Sequence, residues 1–383
     1  MSNQDRREKR FQRRKIKRQN NRNRYEQTIL SYDDIFTFKH LWKAFWLCRK
    51  EVSWKPSIQI FQQNLSVELV KLEQELFSPN GFQTDGFIEF DICERGKMRH
   101  IKSVNIRERI VQRCFCDYYL VPLLIHNIIH DNGASLKDKG ITFSLNRLQY
   151  HLDNFYKKYK DNNGYIVLYD FSNYFGNIDH NILFSIVDEM ITDNRCKKLY
   201  HHLVDNFGDI GLGLGSQVSQ ISAIIFPNYI DQKISNNRNI EAYARYMDDG
   251  YIIFRDKQSA KECIDDLLLY TNRFNIKLNP KKVKICKLKD SFIYLKKRFR
   301  LNNNGQVIVK LNRNNIYKHT RKIKKLIKLV KLDKLKIENV EHSHKAWLGQ
   351  LKRYKNKKSI YNVDKKINRF INDYNKEKYY GLV

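Results

Sequence analysis

Residues 241–254 read EAYARYMDDGYIIF, two apolar, strand-forming runs around a pair of aspartates. Asp-Gly between alternating β-formers is a strong hairpin signal. The stretch therefore predicts a hairpin whose tight turn Asp248 enters after Met247 and which Gly250 makes easier. An ordinary turn needs one aspartate, so Asp248 and Asp249 together raise the question of a third carboxylate. GYIVLYDF (164–171) supplies it, a short apolar strand ending in Asp170. A carboxylate at the buried end of a strand is costly unless it is paired or bound to metal. The elements here run β-α-β-β-α-β, a split-βαβ order that lets this strand lie beside the hairpin. Three carboxylates brought together there repel one another unless divalent cations sit between them. Hard oxygens with positions left open for phosphate suit Mg2+. Two such ions about 4 Å apart activate an attacking hydroxyl and stabilise a leaving pyrophosphate. The pattern thus points to nucleotidyl transfer, with Asp248 facing Asp170 and Asp249 contributing less directly.

Composition narrows the partners. The chain of 383 residues has room for a large core and two or three subdomains. Lysine and arginine number 72 against 41 acids, a formal charge of +31, which favours a polyanionic partner and nucleic acid first. Aromatic residues make up 13% of the chain, which suits stacking on bases rather than a disordered basic tail. No run of about 18 apolar residues exists and the polar N-terminus is no signal peptide, so a cytoplasmic protein with no membrane partner is expected. Cys48, Cys93, Cys114, Cys116, Cys196, Cys263 and Cys286 show no CxxC spacing and read as reduced thiols.

Along the chain, residues 1–28 form a basic arm of the kind that meets phosphate backbone. Pro56 opens an amphipathic helix with Ile58, Phe61, Leu65, Leu69, Leu72 and Leu76 on one face. FIEFDICERGKMRHIKSV (87–104) reads as two strands around a turn at residues 94–96, and NIRERIVQRCFCDYYLVPLL (105–124) as one helix. GLGLGSQVSQISAIIF (211–226) is a glycine-rich loop entering a helix. After residue 306 acids become rare, and two basic helical stretches, 318–336 and 357–376, fit a domain that grips a duplex backbone. The fold class expected is α+β.

YMDD flanked by apolar residues resembles the active-site hairpin of reverse transcriptases, and it does not stand alone. DFSNYFGNIDH (170–180) resembles the family's first aspartate motif. GKMRHI (96–101) and RERIVQ (107–112) resemble its fingers segments, and LGSQVSQ (214–220) the loop and helix under the templating base. LNPKKVKI (278–285) and FIYLKKRF (292–299) resemble the lysine-bearing segment and the primer-grip hairpin. These blocks keep family order over residues 90–300, about half the chain. The resemblance implies a right-hand polymerase: N-terminal helices and fingers over 29–163, a split-βαβ palm over 164–305 and a basic helical thumb over 306–383.

By the same resemblance, Asp170, Asp248 and Asp249 are the catalytic carboxylates, and the carbonyl of Phe171 is a further ligand of two Mg2+ ions, with Mn2+ a substitute. Phe175 matches the steric gate that selects dNTPs over rNTPs. Lys97 and Arg99 are candidates to clamp the incoming triphosphate by charge and bidentate fork; Arg107 and Arg109 hold template phosphate or pair with acids. Gly215 and Gln220 belong to the nucleotide-binding block. Lys281, Lys282 and Lys284 are equal candidates for the acid that protonates pyrophosphate, and Tyr294 and Leu295 stand where the primer grip presses. The implied partners are dNTPs, an RNA template such as a cognate non-coding RNA, a nucleic-acid or protein primer, and an accessory protein.

The GxxxSQ pattern from Gly215 to Gln220 resembles diversity-generating retroelement enzymes and defence-associated bacterial reverse transcriptases. It differs from group II intron enzymes, and the missing Val-Thr-Gly triplet argues against retrons. No endonuclease, integrase or RNase H block follows the thumb before Val383. A role in antiphage defence is expected, with mutagenic diversity generation as the alternative; an RNA-dependent RNA polymerase or a nonenzymatic RNA-binding scaffold stands behind both. Two departures stand out. Gly250 occupies the place where the family usually has an aromatic, and Lys296 the place of a glycine in the primer-grip hairpin.

Overall fold

The computed structural model describes residues 29–94, 97–237, 239–351 and 357–379. The basic arm expected over 1–28 and the tip of the turn at 95–96 lie outside the described residues. Helices α1 (Tyr32–Ile35), α2 (Phe38–Arg49), α3 (Pro56–Gln63) and α4 (Leu65–Leu76) precede strands β1 (Phe87–Glu94) and β2 (Lys97–Val104). Then come α5 (Ile106–Phe115), α6 (Val121–Leu124), α7 (Ile141–Tyr159), β3 (Tyr165–Asp170), α8 (His180–Asp188), α9 (Asn194–Asp205), α10 (Gln217–Ile225) and α11 (Asn228–Ser235). Strands β4 (Ile240–Tyr246) and β5 (Asp249–Phe254) are followed by α12 (Lys257–Asn272), β6 (Lys284–Lys287), β7 (Phe292–Tyr294), β8 (Lys297–Leu301) and β9 (Val307–Leu311). Helices α13 (Arg313–Lys331), α14 (Ile337–Leu351) and α15 (Lys357–Tyr379) close the described chain. The mixed helix-and-sheet class is as expected, and β3, β4, β5 and β6 form one sheet in the order β4-β5-β3-β6.

The chain divides into two compact units, the second comprising Leu145–Leu168, Ile253–Ala260 and Lys284–Val383, the first the remainder. In the first, α2 packs on α5 around Leu41, Phe45, Ile110 and Phe115, all fully buried. In the second, β6 pairs antiparallel with the start of β3, from Tyr165↔Lys287 to Leu168↔Lys284. There β7, β8 and β9 make a separate antiparallel sheet, and Ile323, Ile327, Val340, Ile367 and Ile371 form the core of the basic helices. Their apolar positions recur at helical spacing while the lysines between them stay exposed, which is how so basic a segment still buries a core. Sequence predicts two helices in this region; α14 is a third.

Three local features differ from the sequence-based expectation. The helix opened by Pro56 breaks at Asn64 (φ −113°, ψ 29°), which ends α3 and starts α4; asparagine competes with helical bonding through its own side chain. The helix expected over 105–124 is interrupted at Cys116–Leu120 by a wider π turn, closed by Val121 N–H to the Cys116 carbonyl. Pro122 has no N–H for the carbonyl of Tyr118, which accepts from the Leu30 N–H instead at 3.3 Å.

The third difference lies in the opening hairpin. Its two-residue turn is Met247–Asp248, so Asp248 does follow Met247 into it, but the turn lies two residues before the Asp-Gly pair, and Asp249 and Gly250 already belong to β5. Met247 takes the left-handed φ of 53°, while Gly250 does not use its conformational freedom at all. What Gly250 provides is space: a Cβ there would lie 2.2 Å from the ring of Tyr169 on β3.

Candidate active site

Strand β3 runs through buried apolar residues and delivers Asp170, 3% exposed, at its end. The Asp170 carbonyl accepts from the N–H of Asn279 at 2.8 Å, and its carboxylate from the Asn279 amide at 3.3 Å. The other carboxylate oxygen accepts from the ammonium of Lys282. The turn is tied to the same strand end, because the Phe171 N–H donates to the Asp248 carbonyl at 3.1 Å. One carboxylate oxygen from each of Asp170, Asp248 and Asp249 lies within 4.8 Å of the other two. Burial, then the charge of Asp170, pushes Asp248 above the ordinary carboxylate range. Burial and the charges of Asp248 and Asp170 push Asp249 up to about 7. Burial draws the Lys282 ammonium down, but Asp170 with Asp249 and Asp248 outweighs it, so its proton is held more tightly than usual. A cluster of hard oxygen donors that crowd one another in this way fits divalent cations of the Mg2+ type.

Asp170 and Asp248 face a cleft of about 700 Å³, with Phe171, Phe175, Asn279 and Lys282 around them. Phe175 starts a short 3-10 turn, is half-buried, and meets Tyr174 edge-on at 5.9 Å. Its ring is thus a wall of the cleft rather than part of the core. Strand β2 supplies a second wall through Met98, His100 and Lys102, and Arg99 also lines it. In the β1–β2 ribbon, His100 stands opposite Asp91, and its Nδ1 and Nε2 lie 3.0 Å from Asp91 and Glu89. On the reverse face Ile88, Phe90 and Ile92 are exposed.

The remaining sequence candidates are distributed as follows. Lys97 begins β2, and its side chain lies outside the described ones. Arg107 pairs with Glu75 and Asp85, and Arg109 donates to the Val104 carbonyl and Ser103 hydroxyl, so both serve the first unit's own packing. Gly215, at φ 112°, is exposed in the loop before α10, whose neighbours Gly213 and Leu214 line the cleft. Gln220 is exposed on α10 and accepts from the Ser135 hydroxyl at 3.4 Å. Of the three lysines, Lys282 lines the cleft, Lys281 is exposed, and Lys284 begins β6 in the second unit. Tyr294 is buried within the second unit, while Leu295 opens the β7–β8 turn with Lys296, both at positive φ (42° and 65°).

Sequence reasoning missed Asn279 and Lys102, as well as Gln112. The Gln112 side-chain oxygen accepts from the Ser216 hydroxyl at 3.0 Å and the Gln217 N–H at 2.8 Å, clasping the start of α10. Its amide donates to Glu108, fully buried, whose pKa burial raises to about 7. The signal for Asn279 was its place in LNPKK, two residues before a lysine already singled out. The buried Glu108–Gln112 pair has no local signal, because the loop it clasps is 104 residues away.

A family model described as reverse transcriptase (RNA-dependent DNA polymerase) matches residues 91–340. The chain belongs to that family. No curated protein matches the chain. Among solved structures it is similar to an apo telomerase from Candida tropicalis truncated from its C-terminal domain, at 13% identity and a TM-score of 0.47. That similarity covers 67% of this chain and 60% of the telomerase chain, so the chain spans less than two thirds of its length.

Proposed function

We propose that this chain is an RNA-directed DNA polymerase that adds dNTPs to a primer 3′ hydroxyl on an RNA template. The observation that carries the reading is the convergence of Asp170, Asp248 and Asp249 within 4.8 Å at the end of β3, inside a reverse transcriptase domain. These carboxylates, with the Phe171 carbonyl, would hold two Mg2+ ions, or Mn2+ in their place, which when bound neutralise the attacking and leaving oxygens. Lys282 is the acid for the leaving pyrophosphate: among the three lysines considered it is the one lining the cleft, and the acids around it keep it protonated until the bridging oxygen of the leaving pyrophosphate becomes basic enough to take that proton. Arg99 and Lys102 on the β2 wall, with Lys97, bind the triphosphate. Phe175 occupies the wall where a 2′-hydroxyl would have to fit, and so excludes rNTPs. In this reading fingers, palm and thumb follow the boundaries 29–163, 164–305 and 306–383, with the Leu295–Lys296 turn rather than buried Tyr294 meeting the primer.

The biological setting proposed is bacterial antiphage defence in the cytoplasm; the Gly215–Gln220 pattern fits this and diversity generation alike, and a template/variable repeat pair in the neighbouring DNA would move the setting to the latter. The activity itself is tested with primed RNA, Mg2+ and either dNTPs or rNTPs. DNA synthesis that disappears in Asp248→Ala/Asp249→Ala is expected. No DNA from any primer or cognate RNA would refute the proposal, and preference for rNTPs would replace it with an RNA polymerase.

A further inference from the structure

Directly behind the YMDD turn lies a buried polar assembly that the chemistry does not use. Arg245 on β4 is 0% exposed and Asp231 on α11 is 1% exposed. The Arg245 Nε donates to Asp231 at 2.8 Å, and one terminal nitrogen donates both to Asp231 at 2.6 Å and to the Ile224 carbonyl of α10 at 2.9 Å. The other terminal nitrogen donates to the carbonyl of Met247 at 2.9 Å. Asp231 also accepts from the Tyr243 hydroxyl at 2.6 Å, which in turn meets the Tyr169 hydroxyl at 2.7 Å. The backbone of Arg245 is fixed as well, by the Gly133 N–H to its carbonyl at 2.8 Å and its own N–H to the Asp131 carbonyl at 3.3 Å.

A buried ion pair is not needed for stability as such, since apolar residues of similar volume often do as well. What an apolar pair could not do is hold the Met247 carbonyl. Met247 is in the left-handed region, at φ 53°, a conformation that disfavours a side chain. The peptide unit is planar, so fixing the Met247 carbonyl also fixes the nitrogen and Cα of Asp248. The guanidinium fork reaches Asp231, α10 and the turn at once; a lysine ammonium has no such geometry.

We propose that Arg245 is a positioning residue, held by Asp231 so that its free N–H sets the Met247–Asp248 peptide plane and thereby the direction of the Asp248 carboxylate. The inference rests on the catalytic reading of Asp248. Its test compares Arg245→Lys, Arg245→Met/Asp231→Asn, and Tyr243→Phe, each by melting temperature, primer-extension kcat and dNTP KM, and Mn2+ affinity of the substrate-free protein by electron paramagnetic resonance. Arg245→Lys keeps a cation beside Asp231, and the double variant removes the buried charges together. Tyr243→Phe takes a donor from Asp231 without touching the turn.

Both Arg245 variants are expected to lose about 100-fold in kcat, the scale of a misplacement near 1 Å. KM should stay within about threefold, and Mn2+ binding should weaken about tenfold, the scale seen when support behind a ligand is removed. Tyr243→Phe should lower the melting temperature yet keep kcat and Mn2+ affinity within about threefold. A kcat loss in Tyr243→Phe that matches the Arg245 variants at equal loss of melting temperature would overturn the proposal, as would wild-type kcat and Mn2+ affinity in Arg245→Lys. Asp248→Asn is assayed alongside. If it extends primers normally, the catalytic reading fails; if it is inactive while the Arg245 variants are not, the positioning role alone fails.

Discussion

Replacing Gly250 with alanine probes the packing beneath the YMDD turn more sharply than any change to the aspartates. The new methyl would lie 2.2 Å from Cζ of Tyr169 and 2.4 Å from its hydroxyl oxygen. Carbon atoms approach comfortably at about 3.5–4.0 Å, so the ring or the strand must give by more than an ångström. Tyr169 is 2% exposed and its hydroxyl is bonded at 2.7 Å to Tyr243, so the ring has nowhere to go without breaking that bond. Overpacking costs about 1–3 kcal/mol and the buried hydroxyl about 1–2 kcal/mol more. The chain entropy that alanine removes from the unfolded state returns about 0.4–1 kcal/mol. The net expectation is a loss of about 2–4 kcal/mol in urea unfolding, with primer extension falling in step. Tyr169→Leu removes all three clashing atoms, Cζ, Cε1 and the hydroxyl oxygen, so the double variant should be less destabilised than the sum of the singles by about 1–3 kcal/mol. Tyr169→Phe keeps the clashing ring carbons and should relieve only the hydroxyl part, about 1–2 kcal/mol, leaving the overpacking in place. Stability of Gly250→Ala within about 0.5 kcal/mol of wild type, or strict additivity with Tyr169→Leu, would refute the reasoning.

Phe175→Ala should reduce discrimination between dNTP and rNTP by about tenfold or more, measured as the ratio of kcat/KM values; an unchanged ratio removes the gate assignment. Asp249, with a pKa raised from 3.8 to about 7, holds its proton more tightly folded than unfolded. Its contribution to stability is therefore full at acid pH and is lost as pH rises from the unfolded value through about 7, so melts in chelator should show a decline over that window that Asp249→Asn flattens and divalent cation reverses. Lys296→Gly should raise the melting temperature, since Leu295 and Lys296 both occupy the left-handed region of a two-residue turn that favours glycine; a lower melting temperature would contradict this.

The sequence was most legible where chemistry is local. The apolar run into Asp170 and the hairpin around YMDD both follow from neighbours in the chain. The three carboxylates were legible because a charge at a buried strand end asks for a partner. The Asp-Gly pair misdirected the turn by two residues, because a hairpin signal assumes that glycine is used for its φ, and here it is used for its lack of a side chain. Arg245 was visible in the quoted stretch, but its meaning depends on Asp231 and on a carbonyl of the turn itself. Lys282 could not be separated from its neighbours until the approach of residues 277–279 to Ser172, Phe171 and Asp170 fixed which lysine reaches the strand end.

A ribbon of only two strands is marginal in water, and β1–β2 leaves Ile88, Phe90 and Ile92 uncovered. Its other face is fastened where His100 bridges Asp91 and Glu89, and those acids raise the imidazole pKa above its ordinary value. That fastening is complete in acid and is lost as pH rises through the raised value, when the ribbon should open more often and exchange its amide hydrogens faster. The floor of the cleft behaves in the opposite sense, since Asp249 gives up its proton as pH rises and becomes fit to ligate a cation. Rising pH thus loosens one wall while it makes the floor competent. Nucleotide capture should consequently trace a bell against pH, its acid limb belonging to the carboxylates and its alkaline limb to a histidine that never touches the reacting atoms.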